Sequence, residues 1–355
     1  MNILFTCAGR RNYLIGYFRE ALGGRGKLLA GDCSPDAVAL READQGFVLP
    51  AVQDRNYLPA LLNLCVEQDV ELLVPLNDHE LPILAQARSL FSRIGTEVLV
   101  STPEVIDLAA DKLATERFAA WLGLRGTRSY STLASARQAL DNGVIRFPLI
   151  VKPRWGTASL GVERVDDHET LELVWRLLMK KLGHFGLHQG RFPGDGILIQ
   201  SMLPGQEYGL DIVNDLAGNY RATFVKRKLS MRAGETERAM AVLMPELVAV
   251  GRLIGRTLRH RGNLDCDVYF DGQHVYLLEL NPRFGGGYPF SAEAGAKVPS
   301  ALIAWLRGEE PESSWATIRS GATYGKCDRL VCVDRHGGSS AIPALMEEAP
   351  LAAHN

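Results

Sequence analysis

The chain has 355 residues, of which 46% are hydrophobic and 23% charged, with a formal net charge of −2. That length can bury two or three domain cores, and the composition is that of an ordinary globular protein. The near-neutral balance excludes a general attraction to nucleic acid or to an anionic membrane surface, and no stretch approaches the about 20 apolar residues of a membrane span.

In chain order, residues 2–6 predict a strand, 11–21 a helix, 27–31 a strand, 57–68 a helix, 71–75 a strand, 79–91 a helix and 97–101 a strand. This βα alternation predicts a Rossmann-like domain over residues 1–104, a parallel sheet with helices on both faces. Ligands gather at the carboxyl ends of such strands, here the loops 7–11, 32–35 and 76–80. The first loop carries Arg10 and Arg11 and departs from Gly-x-Gly-x-x-Gly, which argues against a dinucleotide dehydrogenase. Asp78 and Glu80 in the third loop suit an amine or hydroxyl, although acids are also welcome at a helix N-terminus for dipole reasons alone.

Thr102-Pro103 marks a boundary, and a second unit over 105–196 begins with a helix through Asp111-Lys112 to Leu122. The run from Phe147 reads as a buried strand ending on Lys152. The following loop, with Gly156, Thr157, Ser159 and Gly161, can either turn its backbone N–H groups toward phosphate oxygens or serve as an ordinary turn. It is not a Walker loop. A helix over 171–182 precedes a Gly-rich connection, whose His184 and His188 read as loop residues rather than metal ligands.

The third unit, 197–320, is mainly antiparallel, with a helix over 246–261. A strand through Gln200 and Ser201 runs past Leu203 into Pro204-Gly205, a hinge that can offer backbone hydrogen bonds to a flat base. Glu207, Gly209 and Asp211 then share one strand face, either solvent-facing or functional. Of the local basic clusters, Lys226-Arg227-Lys228 suits anionic groups, and that from Arg256 to Arg261 reads as a solvated helix face. Residues 321–355 predict a last strand over 321–335 and a frayed tail. The six cysteines (Cys7, Cys33, Cys65, Cys266, Cys327, Cys332) lack Cys-x-x-Cys spacing and read as reduced thiols of a cytoplasmic protein. The short apolar run before Arg10-Arg11 is not that of a signal peptide.

The most informative stretch is a hairpin, Leu264 to Phe270 and Val275 to Arg283 around Asp271-Gly272-Gln273-His274. A turn centred near Gln273 puts Asp267 opposite Glu279, and the period of two puts Asn281 on the face of Glu279. Two carboxylates side by side repel unless a cation lies between them, and two carboxylates plus an amide oxygen suit Mg²⁺. Arg283 could add a fixed cation beside the same phosphates. Taken alone, Glu-x-Asn-Pro-Arg could also be a strand end entering a turn.

The order of these features resembles the ATP-grasp superfamily from about residue 105 to about residue 300. More narrowly it resembles stand-alone proteins similar to the carbamoyl-phosphate synthase large subunit, on Thr6-Cys7-Ala8-Gly9-Arg10-Arg11, Met231-Arg232-Ala233-Gly234-Glu235-Thr236 and Phe284-Gly285-Gly286-Gly287-Tyr288-Pro289. The resemblance implies an α/β chain: a Rossmann-like pre-ATP-grasp domain followed by a two-lobed ATP-grasp fold (α+β). It implies ATP with Mg²⁺, or Mn²⁺ in its place, as cofactors. Lys112 and Lys152 would contact the nucleotide phosphates, and Gly156 to Gly161, Ser159 included, would form a lid. Gln200, Ser201 and Leu203 would meet the adenine edge and Glu207 the ribose, with Tyr269 also lining the nucleotide site. Asp267, Glu279 and Asn281 would bind the metal, and Arg283 would stabilise the transferred phosphoryl group. Lys228 and Arg232 are expected in the catalytic acceptor region. Arg10, Arg11, Asp78, Glu80, Gly285 and Gly286 are expected at the substrate. Many relatives have Glu where this chain has Gln200, and Glu or Gln where it has Asp267.

The expected activity is an ADP-forming ligase that activates a small-molecule carboxylate as an acyl phosphate and passes it to an amine or other nucleophile, in a chain compatible with a homodimer. The rivals are a phosphotransferase, including one acting on bicarbonate, and a non-catalytic nucleotide-binding module.

Overall fold

The computed structural model describes residues 1–9, 11–156, 160–182 and 196–333. Three sheets organise them. The first is parallel, in the order β3-β2-β1-β4-β5, from β1 (Asn2–Thr6), β2 (Lys27–Asp32), β3 (Gln45–Val48), β4 (Val70–Pro75) and β5 (Glu97–Val98). Its central strands read as continuous apolar runs because helices cover both faces. Phe5, Leu14 and Phe18 fill one side, and Leu4, Leu61 and Leu84 the other. The edge strand β3 escapes sequence analysis because three of its four residues are exposed and carry no alternating pattern.

The second sheet, β6-β9-β7-β8, comprises β6 (Ser129–Tyr130), β7 (Leu149–Pro153), β8 (Glu163–Val165) and β9 (Ile197–Ser201). The third, β14-β13-β10-β11-β12-β15, comprises β10 (Gln206–Asn214), β11 (Tyr220–Arg232), β12 (Glu235–Val242), β13 (Gly262–Phe270), β14 (Val275–Asn281) and β15 (Thr323–Gly325). The expected strand over 321–335 is thus three residues long among the described ones.

The helix expected through Asp111 is two helices, Pro103–Ala110 and Lys112–Trp121. Asp111 between them is extended, and its side chain accepts from the Leu113 amide, an N-cap that starts the second helix at Lys112. The helix expected over 246–261 runs Pro245–Leu258 and ends at Arg259, which is left-handed with φ 51°.

The β13–β14 hairpin closes on Asp271, whose carboxylate accepts from the Gln273 and His274 amides. Asp265 pairs with Asn281 and Asp267 with Glu279, but Val268 pairs with Leu277. Leu278 is therefore the extra residue of a bulge, and both Leu278 and Glu279 turn toward the cleft between the second and third sheets. The N-terminal domain is not a separate body. Phe5 and Phe18 share one core with Phe284 and Tyr288, just beyond β14, and with Val213 and Phe224. The Phe18 and Phe284 rings meet edge to face at 6.1 Å.

Candidate active site

Two adjoining cavities open along the cleft. The first, about 220 Å³, lies between β7–β9 and the hairpin. Ile150, Leu160, Val162, Met202 and Leu278 give it apolar walls. Lys112, Lys152, Gly156, Gln200, Ser201, Leu203, Tyr269 and Glu279 also line it, so most of the sequence-predicted nucleotide residues gather here.

Each cation in it has a structural cause. Arg154 grips the Asp111 cap through two nitrogens, at 2.7 and 2.5 Å, which fixes Lys112 beside the loop. Lys112 Nζ donates to the Gly156 carbonyl at 2.9 Å and stands 3.8 Å from Glu279. Lys152, next to last in β7, is almost buried, and burial, with Lys112 nearby, lowers its ammonium pKa to about 8. Gln200 donates to Thr127 at 2.9 Å and to Ser129 at 2.6 Å, so its amide is already committed inside the protein. The Ser201 N–H is committed too, to the Arg128 carbonyl at 3.2 Å, so of its backbone only the carbonyl is left for the expected base contact. Gly161 packs on Pro153 and Leu178, behind the lining residues Leu160 and Val162. Ser159 lies outside the described residues, as does Arg10.

The second cavity, about 270 Å³, is polar and lies between β10–β14, the β11–β12 hairpin and the N-terminal domain. Arg11, Asp78, Glu207, Lys228, Asp267, Glu279, Asn281, Arg283 and Gly286 all line it. Glu207, expected at a ribose, faces this side, bonded to Lys228 at 2.6 Å and to the Tyr269 hydroxyl at 3.1 Å.

Lys228 also reaches Asp267 at 2.7 Å. Burial works against its ammonium, but the two carboxylates outweigh burial and hold its pKa above the ordinary lysine value. Arg283 reaches Asp78 of the N-terminal domain at 2.6 Å and the Phe284 carbonyl at 3.1 Å, leaving its buried Nε without an acceptor. Here too burial is outweighed, chiefly by Asp78, and the pKa is raised. Arg11 donates to the Leu76 carbonyl, and its pKa is lowered by burial and by repulsion from Arg283.

Three expectations fail on geometry. Glu80 does not reach the cavity: it is 0% exposed, accepting from the Tyr57 hydroxyl at 2.7 Å and from the Leu76 and Asn77 amides. It shapes the loop instead of meeting substrate. Arg232 lies at the exposed end of β11, paired with Glu237 and Asp328. Gly285 lies behind the lining, because a Cβ there would overlap the Asp265 carboxyl group.

Sequence analysis missed Asp265, and it marked Lys226 only as part of a basic cluster, without its partner Asp211. Asp265 was open to discovery, since it sits two residues before Asp267 on the same strand face, opposite Asn281. Burial and the neighbouring Asp267 push its carboxyl up to about 6, against the pull of Lys226. Lys226 reaches Asp211 at 2.6 Å, and Asn263 and Ser291 complete that buried carboxylate at 3.2 and 2.5 Å. Gly209 makes the crossing feasible: a Cβ there would lie 3.0 Å from Lys226 Cε and 3.5 Å from Lys228 Cε.

Among the described residues no group of three His, Cys, Asp or Glu side chains stands ready as a metal cage. Asp267 is drawn to Lys228. Glu279 and Asn281, a carboxylate and an amide oxygen on one strand face, both border the second cavity, and Glu279 borders both. That donor set fits a hard cation that keeps water and phosphate oxygens as its other ligands.

A family model described as the PylC-like N-terminal domain matches residues 3–99, and one described as ATP-grasp in the biosynthetic pathway with Ter operon matches residues 194–328. The carbamoyl phosphate synthase large chain of Mesorhizobium japonicum is 22% identical over 251 residues. That match takes in 63% of this chain, which spans 21% of the relative's length. The biotin carboxylase domain dimer of Hydrogenobacter thermophilus 2-oxoglutarate carboxylase, solved with MgADP, ADP and bicarbonate, superposes with a TM-score of 0.69 at 17% identity, over 91% of this chain and 73% of that one. The L-amino acid ligase from Bacillus licheniformis does so at 0.64 and 20% identity, over 91% and 78%. Among the described residues no helix is long and apolar enough to cross a membrane.

Proposed function

We propose that this chain, which joins a PylC-like N-terminal domain to an ATP-grasp domain, is an ADP-forming ligase that activates a small-molecule carboxylate as an acyl phosphate and passes it to an amine. The observation that carries the reading is the position of Glu279, which borders both the apolar, lysine-bearing cavity and the polar one. A nucleotide in the first would present its terminal phosphate at the junction, and an acid in the second would meet it there.

The apolar walls of the first cavity suit a base, and Lys112 and Lys152 suit phosphates. Glu279 and Asn281 would hold Mg²⁺, which supplies charge neutralisation for the phosphate oxygens. Arg283, fixed by Asp78, offers its nitrogens where charge spreads over the transferred group. Because Lys228 is held charged by Glu207 and Asp267, it serves as a fixed cation rather than a proton acceptor.

Trapping tests the reading. With ATP, Mg²⁺ and hydroxylamine, the true acid substrate is expected to yield a hydroxamate, with ADP and phosphate released in equal amounts. AMP with pyrophosphate, or a stable phosphorylated product without hydroxamate, would overturn it.

A further inference from the structure

The second cavity holds more charge than its internal pairs consume. Asp78 is paired with Arg283, Glu207 and Asp267 share Lys228, Glu235 meets Lys326 at 3.0 Å, and Lys226 is spent on Asp211 beneath the floor. Among the described residues, two lining charges have no ion pair. They are the Arg11 guanidinium, whose hydrogen bond goes to a carbonyl, and the Asp265 carboxylate, which has no hydrogen-bond donor.

Neither is a loose surface charge. Arg11 is anchored on the Leu76 carbonyl and faces Arg283, whose buried Nε has no acceptor. Two guanidiniums brought together repel, and an anion between them relieves the repulsion. Asp265 lies in β13 between its register partners Asp211 and Asn281, and the chain at Gly285 closes against it. A carboxylate without a partner at a cavity wall is a seat for a cation. One cavity thus holds a seat for each sign.

We infer that the acid substrate is an α-amino acid, its ammonium group held by Asp265 and its carboxylate directed toward Arg11 and Arg283. This rests on the ligase reading above and specifies the acid. An ammonium held at Asp265 stays protonated and is no nucleophile, so the attacking amine belongs to a second substrate.

The test compares α-amino acids with their des-amino counterparts, such as alanine against propionate and phenylalanine against 3-phenylpropionate, in hydroxamate formation by the full chain. Wild type is expected to prefer an amino acid at least a hundredfold in kcat/KM. Asp265→Asn, which keeps shape and loses charge, is expected to raise the KM for that amino acid at least tenfold and to shrink the preference, with the calorimetric Kd for ATP within twofold of wild type. If the variant keeps the amino-acid KM and the full preference, the inference falls. It falls too if wild type prefers the des-amino acids, a comparison that needs no variant. In both cases hydroxamate still forms and the ligase reading stands. ADP accumulating with a stable phosphorylated product and no hydroxamate removes the ligase reading itself, and the inference with it.

Discussion

Asp267 and Glu279 face each other across the β13–β14 hairpin, yet each is neutralised from a different side. Lys228 holds Asp267 at 2.7 Å, whereas Lys112 stands 3.8 Å from Glu279. The tight pair and the loose one imply different roles, and substitutions separate them.

Glu279→Gln removes a carboxylate that little else in the protein depends on. Its midpoint of thermal unfolding is expected to stay within about 2 °C of wild type, since partly exposed pairs contribute less than about 1 kcal/mol. ADP formation is expected to fall by about 10² to 10³, the cost of one lost electrostatic contact at the transferring group. Scanning calorimetry and a coupled ADP assay measure both. Wild-type turnover would remove Glu279 from the site.

Lys228→Met acts in the opposite way. It strands Glu207 and Asp267 as half-buried, uncompensated carboxylates, so the expected loss lies below the about 3–5 kcal/mol that removing one member of a fully buried pair costs. Adding Asp267→Asn is expected to recover part of that loss. Urea unfolding of the two variants gives the answer, and a double variant no more stable than the single one would show that the three charges do not act as a unit.

Lys152 predicts a proton linkage. In the free protein burial holds its ammonium pKa at about 8, below the ordinary 10.5. Below pH 8 the group is charged both folded and unfolded, so the burial cost is paid in full. As pH rises from 8 toward 10.5 the folded chain loses its proton first, the cost fades, and the contribution of this group to stability rises. A bound triphosphate favours the ammonium. ATP binding is therefore expected to take up more than half a proton at pH 8.5 and to weaken at higher pH. Titration calorimetry in buffers of different ionisation heat reads this directly, and Lys152→Met is expected to abolish it. Equal heats in both buffers at pH 8.5 would contradict it.

Gly285→Ala places a methyl group against the Asp265 carboxyl group. Overpacking of this kind costs about 1–3 kcal/mol. The KM for the acid substrate is expected to rise, with the Kd for ATP unchanged because the strain lies in the polar cavity. A variant with wild-type stability and KM would show that the backbone yields there without consequence.

What sequence analysis recovers follows the range of the interactions. The β13–β14 hairpin is local: its turn and alternation put Asp267 opposite Glu279 before any coordinates are known, and only the bulge at Leu278 escapes a strict period of two. Lys228 joins Glu207 and Asp267 across three strands, and no local spacing encodes that meeting. Glu80 misleads because an acid before a helix has an electrostatic reason to be there, whereas Tyr57, 23 residues away, buries it. Arg232 misleads because a resemblance over Met231 to Thr236 does not tell where β11 leaves the cleft. Asp265 shares a face with two expected ligands and was within reach of the same argument.

The ion pair from Asp78 to Arg283 crosses from the N-terminal domain to the chain just beyond β14 of the third sheet. Together with the edge-to-face rings of Phe18 and Phe284, it makes the seam between the N-terminal domain and the third sheet one side of the polar cavity proposed to hold the acid. Chimeras that exchange N-terminal domains between relatives would therefore transplant one wall of the polar cavity, Arg11 and Asp78 included, along with whatever specificity the loops carry. A graft lacking an acid at the Asp78 position would leave its host arginine without an anchor, and the hybrid would fold and fail.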